Sequence, residues 1–479
     1  MEKKTDFSFL KDRHASPEGG RKCYGYVNYT IIQQYTEDHK NWPLRIMPGV
    51  GISKDHNVKW YFFPKSDEDA IIFLKRYLDN HSLLKELEVY TTKTKEEGIN
   101  GLKLNELKSW TNKQLSDKIT FYYNHLKLFF KVASTLRFID RGLMPQLKKI
   151  VEDNNLGEEG ISILSTSERH TFSVQEHLTI LDLAVKSKSG KIKKKEIDQK
   201  LEKIHTSYCF GVLGYYNEQP KTLSDYKKEF ETSLESNPDK ELKSFKDKLN
   251  LSLNKRKDLM KKLNKEEKLL ADTAAESTYL KDYYKSSINE FENHAEVLFK
   301  EISERTSKSL DFVKDLMPNE TVKLLNGEKL DEKAIEERVK NFLVMITPDK
   351  CITLTGKDVY EFEEKFIKIE WLDKREFKGR VACKGLVTGK AKIILGTQDF
   401  HKFNKGDIII ATNTSPDFVP LMKKASAIIA EEGGLTAHAS VVSREMGVPC
   451  IVGINNATKI FKDNELIEVD ANKGVVKKL

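Results

Sequence analysis

No stretch of this 479-residue chain stays apolar for long. No hydrophobic run approaches the roughly 20 residues that a bilayer-spanning helix needs, so the sequence is not read as a membrane protein. The first residues, MEKKTDFSFLKDRHASPEGG, lack the apolar core of a secretory signal; export is not expected and a cytoplasmic location is. Cysteine is scarce. Cys23, Cys209, Cys351, Cys383 and Cys450 stand singly, without CxxC or CxxH spacing, which argues against a disulfide framework or a zinc site and fits a reducing compartment. Also missing is any aromatic-basic motif or nucleic-acid module. The net charge of +8 comes mainly from lysines interleaved with Glu and Asp along helix-like segments. That pattern reads as a solvated surface, and nucleic acid is not expected as a partner.

What is present is enough chain for two or three domains, each with its own core. The expected organisation is multidomain α+β in three parts: a small N-terminal α/β region over 1–101, a large helical domain over 102–372 and a C-terminal α/β domain over 373–479. In the first part, LRIMPGV and VKWYFFP read as strands around the turn-rich GISKDHN, and DEDAIIFLKRYLD as an amphipathic helix. In the second, Ser173 and Glu176 have the spacing of a capping box ahead of LTILDLA. Leu242, Phe245, Leu249, Leu253, Met260, Leu263 and Leu270 recur at helical spacing. They predict one buried stripe on a helical hairpin or coiled-coil arm.

After Trp371 the pattern changes to short strands. DIIIA, AIIA and CIVG alternate with a short helix in FVPLMKKA and a longer one after EEGGLTAH, as expected for parallel β-α-β crossovers. Ligands in such units gather at the carboxyl ends of strands, where His438 falls. Gly433 and Gly434 permit close backbone approach, and Thr436 is suited to cap the next helix. His438 then lies in the first turn, where free N–H groups and the helix dipole favour a phosphate dianion. Gly447 and Pro449 stop the helix. An imidazole with a pKa of about 6.5 keeps one nitrogen unprotonated near neutral pH and is a competent nucleophile toward phosphorus. The Thr436 hydroxyl or a carbonyl would fix its tautomer. A histidine at a helix start can equally be a cap or a packing residue, and the residues by themselves leave both readings open.

The run GGLTAHASVVSREMGVPCIVG closely resembles the phosphohistidine signature of the phosphoenolpyruvate-utilising enzymes, the group of phosphoenolpyruvate synthase, pyruvate phosphate dikinase and rifampicin phosphotransferase. Gly433, Gly434, Thr436, His438, Arg444, Glu445, Gly447 and Pro449 carry the resemblance; Ser440 and Ser443 depart from it, standing where alanine is usual. GRVACKGLVTGKAKII and NTSPDFVPLMKKASAIIAEEGG extend it over the C-terminal domain, with Cys383 where serine is common. SVQEHLTILDLA, HTSYCFGVLGYY and HAEVLFKEISERTSKSLDFVKDL extend it more weakly into the helices. The resemblance implies a mobile, swivelling domain that carries phosphate on His438, with ATP or phosphoenolpyruvate as donor and Mg2+ as cofactor. The first hundred residues are too short for an ATP-grasp fold and show no glycine-rich phosphate loop, so charging by a separate ATP-grasp subunit is expected, as in phenylphosphate synthase. The alternative is a non-catalytic partner that docks on an ATP-grasp kinase.

The resemblance to the rifampicin enzyme also implies a hydroxyl-bearing small-molecule acceptor between Leu104 and Val344. Tyr208, Phe210, Tyr215, Tyr216, Tyr279 and Tyr283 are available to line its pocket, though helix packing is their default. Arg137 and Arg141, one helical turn apart, would clamp an anionic substrate or else form a surface pair near Asp140. His170, His177 and His205 are candidate bases whose ordinary role is packing. Glu431 and Glu432 would help bind magnesium, or simply solvate a loop.

Overall fold

A computed structural model of the chain describes residues 16–22, 49–54, 57–62, 70–72, 74–75, 78, 83–102, 104, 106–157, 159–212, 220–346, 351–366, 375–414, 418–431, 438–454 and 456–479. The chain divides into two units, Met1–Ile367 and Lys368–Leu479.

The first unit is built on two 42-residue helices, α2 (Asn112–Asp153) and α7 (Lys265–Thr306), with α1 (Leu83–Gly101) packed on both. Each long helix starts at a capping box. The Thr111 hydroxyl accepts from the Gln114 N–H while Gln114 accepts from the Thr111 N–H, and Asn264 and Glu267 do the same for α7. Leu115, Ile119, Tyr122, Leu126 and Phe129 recur every three or four residues along α2 and are fully buried with Ile288, Phe291 and Leu298 of α7. Tyr122 stacks on Phe291 with centroids 5.4 Å apart. Gly98 lets α1 approach the rings of Phe291 and the buried His125: a Cβ there would stand 2.6 Å from His125, whose Nε2 lies 2.5 Å from the Thr94 carbonyl oxygen.

A smaller helical cluster comprises α3 (Phe172–Lys188), α4 (Lys194–Tyr208), α5 (Leu223–Glu235) and α6 (Pro238–Lys262). Leu183, Leu201, Ile204, Tyr226 and Phe230 form its own core. Two expectations fail here. The cap of α3 is Thr171, two residues before the expected Ser173; the Phe172 N–H is met by Asp282 at 2.5 Å, and Glu176 turns to Tyr226 and Lys221 instead. The stripe from Leu242 to Leu270 is also not one element. Asn264 ends it by starting a new helix; α6 packs on α3, and α7 on α1 and α2. Leu242, Phe245, Leu249, Leu253 and Met260 are only half-buried, whereas Leu263 and Leu270 are buried.

The N-terminal strands do not form a region apart. In an antiparallel sheet of order β1-β3-β2-β4-β5, the hairpin of β2 (Gly49–Lys54) and β3 (Asn57–Phe62) joins β1 (Ser16–Lys22) to β4 (Phe342–Ile346) and β5 (Cys351–Thr355). Residues 1–101 thus share a unit with the helices that follow, Met1–Ile367. GISK, read as turn, is strand, and its register opposite Leu343 and Val344 places Gly51 and Ile52 in the interior.

The second unit contains one eight-stranded sheet of order β6-β13-β12-β8-β9-β10-β11-β7. These strands are β6 (Glu376–Lys378), β7 (Arg380–Cys383), β8 (Leu386–Ile393), β9 (Ile408–Ala411), β10 (Ala427–Ala430), β11 (Cys450–Val452), β12 (Leu466–Asp470) and β13 (Val475–Lys478). Strands β8 to β11 run parallel and the flanking pairs antiparallel. Every residue of β9, β10 and β11 is buried, because both faces of the sheet are covered. Ile408, Ile410, Ala427, Ile429 and Ile451 face one core, and Ile409, Ile428, Ala430, Cys450 and Val452 the other. The three strands expected from DIIIA, AIIA and CIVG are present.

Candidate functional site

Helix α8 (His438–Met446) opens on His438 and connects β10 to β11. Ala439, Val442 and Met446 place it on the core face formed by Ile409, Ile428, Cys450 and Val452. A helix start leaves its first N–H groups without partners within the helix, and this one follows the end of parallel strand β10 in the chain. The serines that depart from the resemblance are fully buried, and the Ser443 hydroxyl donates to the Ser440 carbonyl at 3.1 Å. The helix closes at Gly447, whose φ of 65° suits glycine, with the Val448 N–H returning to the Ser443 carbonyl at 3.0 Å. Gly433, Gly434, Thr436, Glu432 and the His438 imidazole lie outside the described residues and side chains.

Glu431 is where the sequence reading needs correcting. It is buried, not solvated, and its Oε1 accepts from both the N–H (2.7 Å) and the hydroxyl of Thr458. Its own N–H donates to the Ala411 carbonyl. Glu431 therefore ties the end of β10 to helix α9 (Ala457–Ile460) two residues before the glycine pair begins. The partner lies 27 residues downstream, so no local pattern announced this contact. Among the described residues, no group of three His, Cys, Asp or Glu side chains is placed to hold a metal ion.

The helical unit contains a half-open cavity of about 610 Å³, within the range of small-molecule sites. Leu74, Leu83, Ile139 and Leu269 are among its apolar lining, and Arg169 and Arg256 among its polar lining. The guanidinium of Arg169 donates to Glu88 (2.8 Å) and Glu276 (2.7 Å) and covers the Tyr279 ring at 3.6 Å. That hydrogen bond holds the Glu88 carboxyl below its ordinary pKa, against the opposing effect of burial. Arg256, buried, donates to the Leu164 carbonyl at 2.9 Å and to Asp272 at 2.6 Å.

The remaining candidates are dispersed. Arg137 and Arg141 are half-buried on α2 and are not among the described lining of the cavity, while Asp140 accepts from Ser277 and Lys281 of α7. His170 is exposed, His177 meets Phe245 edge-on at 4.7 Å, and His205 lies 6.0 Å from the Tyr226 ring. Tyr208 and Phe210 pack on Phe172, Tyr279 stacks on Tyr283, and the Tyr283 hydroxyl meets Thr92. None of these four aromatics is among the described lining of the cavity, and Tyr215 and Tyr216 lie outside the described residues. No described helix is long and apolar enough to cross a membrane.

Residues 403–474 match the family of the PEP-utilising enzyme, mobile domain. A probable phosphoenolpyruvate synthase of Archaeoglobus fulgidus is 41% identical over 142 residues, 30% of this chain and 19% of its own length. The phosphoenolpyruvate synthase of Aeropyrum pernix is 46% identical over 100 residues, 21% of this chain and 12% of its own. The rifampicin phosphotransferase of Bacillus cereus is 26% identical over 365 residues, 70% of this chain and 41% of its own, so that similarity reaches into the helical unit. This chain thus spans under a fifth of the synthases and under half of the transferase. Among solved structures, a chain of Thermococcus kodakaraensis aconitase X aligns at 17% identity with a TM-score of 0.19 over 22% of this chain and 99% of its own, too slight a likeness to carry an argument. The C-terminal unit belongs to the PEP-utilising enzyme mobile-domain family.

Proposed function

We propose that the chain is a phosphotransferase, or the transferase subunit of one, in which His438 is the covalent phosphoryl carrier. The observation that carries this is the helix opening on His438 beyond parallel strand β10, inside the segment that matches the mobile-domain family. In the first step an imidazole nitrogen attacks the phosphorus of ATP or phosphoenolpyruvate, an N–P bond forms, and the P–O bond to the leaving group breaks. In the second, an acceptor hydroxyl oxygen attacks the same phosphorus, the N–P bond breaks, and the hydroxyl proton leaves to solvent or a base. Thr436 would orient the imidazole and Gly433 and Gly434 would admit the phosphate. Magnesium neutralises charge in phosphoryl transfer and would arrive with the donor on a separate ATP-grasp partner.

The acceptor is a hydroxyl-bearing small molecule, and the 610 Å³ cavity of the helical unit suits it, having aliphatic walls and fixed charged groups. The test is to incubate the full chain, with and without cell extract, with phosphoenolpyruvate or with ATP labelled at its β and γ phosphates. Acid-labile, base-stable label on the wild type and none on His438→Ala is the expected result. Equal labelling of the two proteins refutes the assignment.

A further inference from the structure

Cys383 and Cys450 are cross-strand partners in the antiparallel pair β7–β11. Directly opposed residues in such a pair have Cα atoms about 4.5–5.5 Å apart, inside the roughly 4.4–6.8 Å that a disulfide spans. The register shifts between Cys450 and Ile451, so two residues of β7 oppose one of β11, the signature of a bulge. Ala382 and Cys383 consequently both belong to the core face that contains Cys450. Strand β7 is the edge of the sheet, and Cys383 is half-exposed while Cys450 is fully buried. The segment after Cys383 is held close: Gly385 lies so near Pro449 that a Cβ would stand 2.4 Å from its ring.

The Cys450 thiol points at the helix that His438 opens, with Sγ 3.9 Å from the Ala439 carbonyl. We propose that Cys383 and Cys450 are a peroxide-sensitive dithiol whose disulfide loosens the first turn of α8. The Cys383 thiolate attacks one oxygen of hydrogen peroxide, giving a sulfenic acid and releasing hydroxide, which takes up a proton as water. The Cys450 sulfur then attacks the sulfenic sulfur; the S–S bond forms, the S–O bond breaks, and hydroxide leaves with the Cys450 proton as a second water. Two thiols are oxidised and one peroxide reduced. The disulfide removes the S–H donor facing Ala439 and turns the sulfur toward β7. Burial pushes the Cys450 thiol up to about 12, so the second step is slow at neutral pH and gains about tenfold per pH unit as the thiolate fraction grows.

Slower phosphoryl transfer in the oxidised protein would follow only if His438 is the phosphoryl carrier, but the test does not rest on that reading. The full chain is treated with hydrogen peroxide at pH 7 and pH 9 and digested without reduction, and amide exchange is followed across residues 438–446. A Cys383–Cys450 linked peptide, formed faster at pH 9, absent from Cys383→Ser and accompanied by faster exchange at the start of α8, is expected. Either no linked peptide, or a linked peptide with unchanged exchange in α8, overturns the proposal. Loss of the His438 labelling reading would leave both measurements intact.

Discussion

The elements packed around the helix that starts at His438 all fall within residues 380–460, in consecutive strands and crossovers, whereas the cavity of the helical unit is lined by residues drawn from positions 74 to 276. In the C-terminal unit, strand, helix and the Glu431–Thr458 tie follow each other within the same crossovers, so their geometry is set by local hydrogen bonding and by a sheet buried on both faces. The cavity walls belong to several helices, held by side-chain packing between elements far apart in sequence. The contiguous site should tolerate distant change, and the assembled one should respond to any substitution that shifts a helix.

The largest effect expected after loss of label in His438→Ala tests this directly. Phe291→Ala removes a fully buried ring that touches Tyr122, His125 and Phe129 and should cost about 3–5 kcal/mol in urea unfolding. Amide protection should fall along Asn112–Asp153 and Lys265–Thr306 while β9 and β10 keep theirs; equal loss in both units would erase the distinction. Glu431→Ala leaves the Thr458 N–H and hydroxyl unmet and should cost about 1.5–3 kcal/mol, with faster exchange at Ala457–Ile460. Gly447→Ala places a side chain at φ 65° and should cost about 1–2 kcal/mol by thermal unfolding, although open space surrounds the position.

The smallest effect per step is one of pH, in the helical unit. Glu292 has its Oε1 sealed from solvent without a hydrogen-bond partner, and burial pushes its pKa up to about 8, opposed by Lys314 and assisted by Glu296. The native state therefore holds this proton between about pH 4.5 and 8 while the unfolded chain has released it, so stability falls as pH rises through that window, by at most about 1.4 kcal/mol per unit. Glu292→Gln should flatten the slope. A slope unchanged by that substitution would assign it to other groups.

Much of the C-terminal unit is legible from sequence because its signals are local. Ile408–Ala411, Ala427–Ala430 and Cys450–Val452 are short apolar runs bounded by turn residues, and His438 follows the second at the spacing of a helix start. Glu431 was misread because its partner is reached only after the chain has crossed α8 and β11. In the helical unit, the break at Asn264 did have a local signal, the Asn264–Glu267 capping box, which a continuous hydrophobic stripe concealed. The cap of α3 had none: Thr171 makes no side-chain cap, and the Phe172 N–H is met instead by Asp282, from α7. The cavity was beyond reach for the same reason, since its outline depends on how helices meet.

The pairing of Gly49–Lys54 with Phe342–Ile346 sets a schedule for synthesis. The strand that completes the sheet follows its neighbour by roughly 300 residues, and at about 5–20 residues per second a ribosome needs roughly 15–60 s to deliver it. Throughout that interval one edge of the N-terminal hairpin waits unpaired, with its backbone donors and acceptors open to any other strand. These strands are thus finished long after they are made, and protection of that edge in the nascent chain falls to something other than its eventual neighbour.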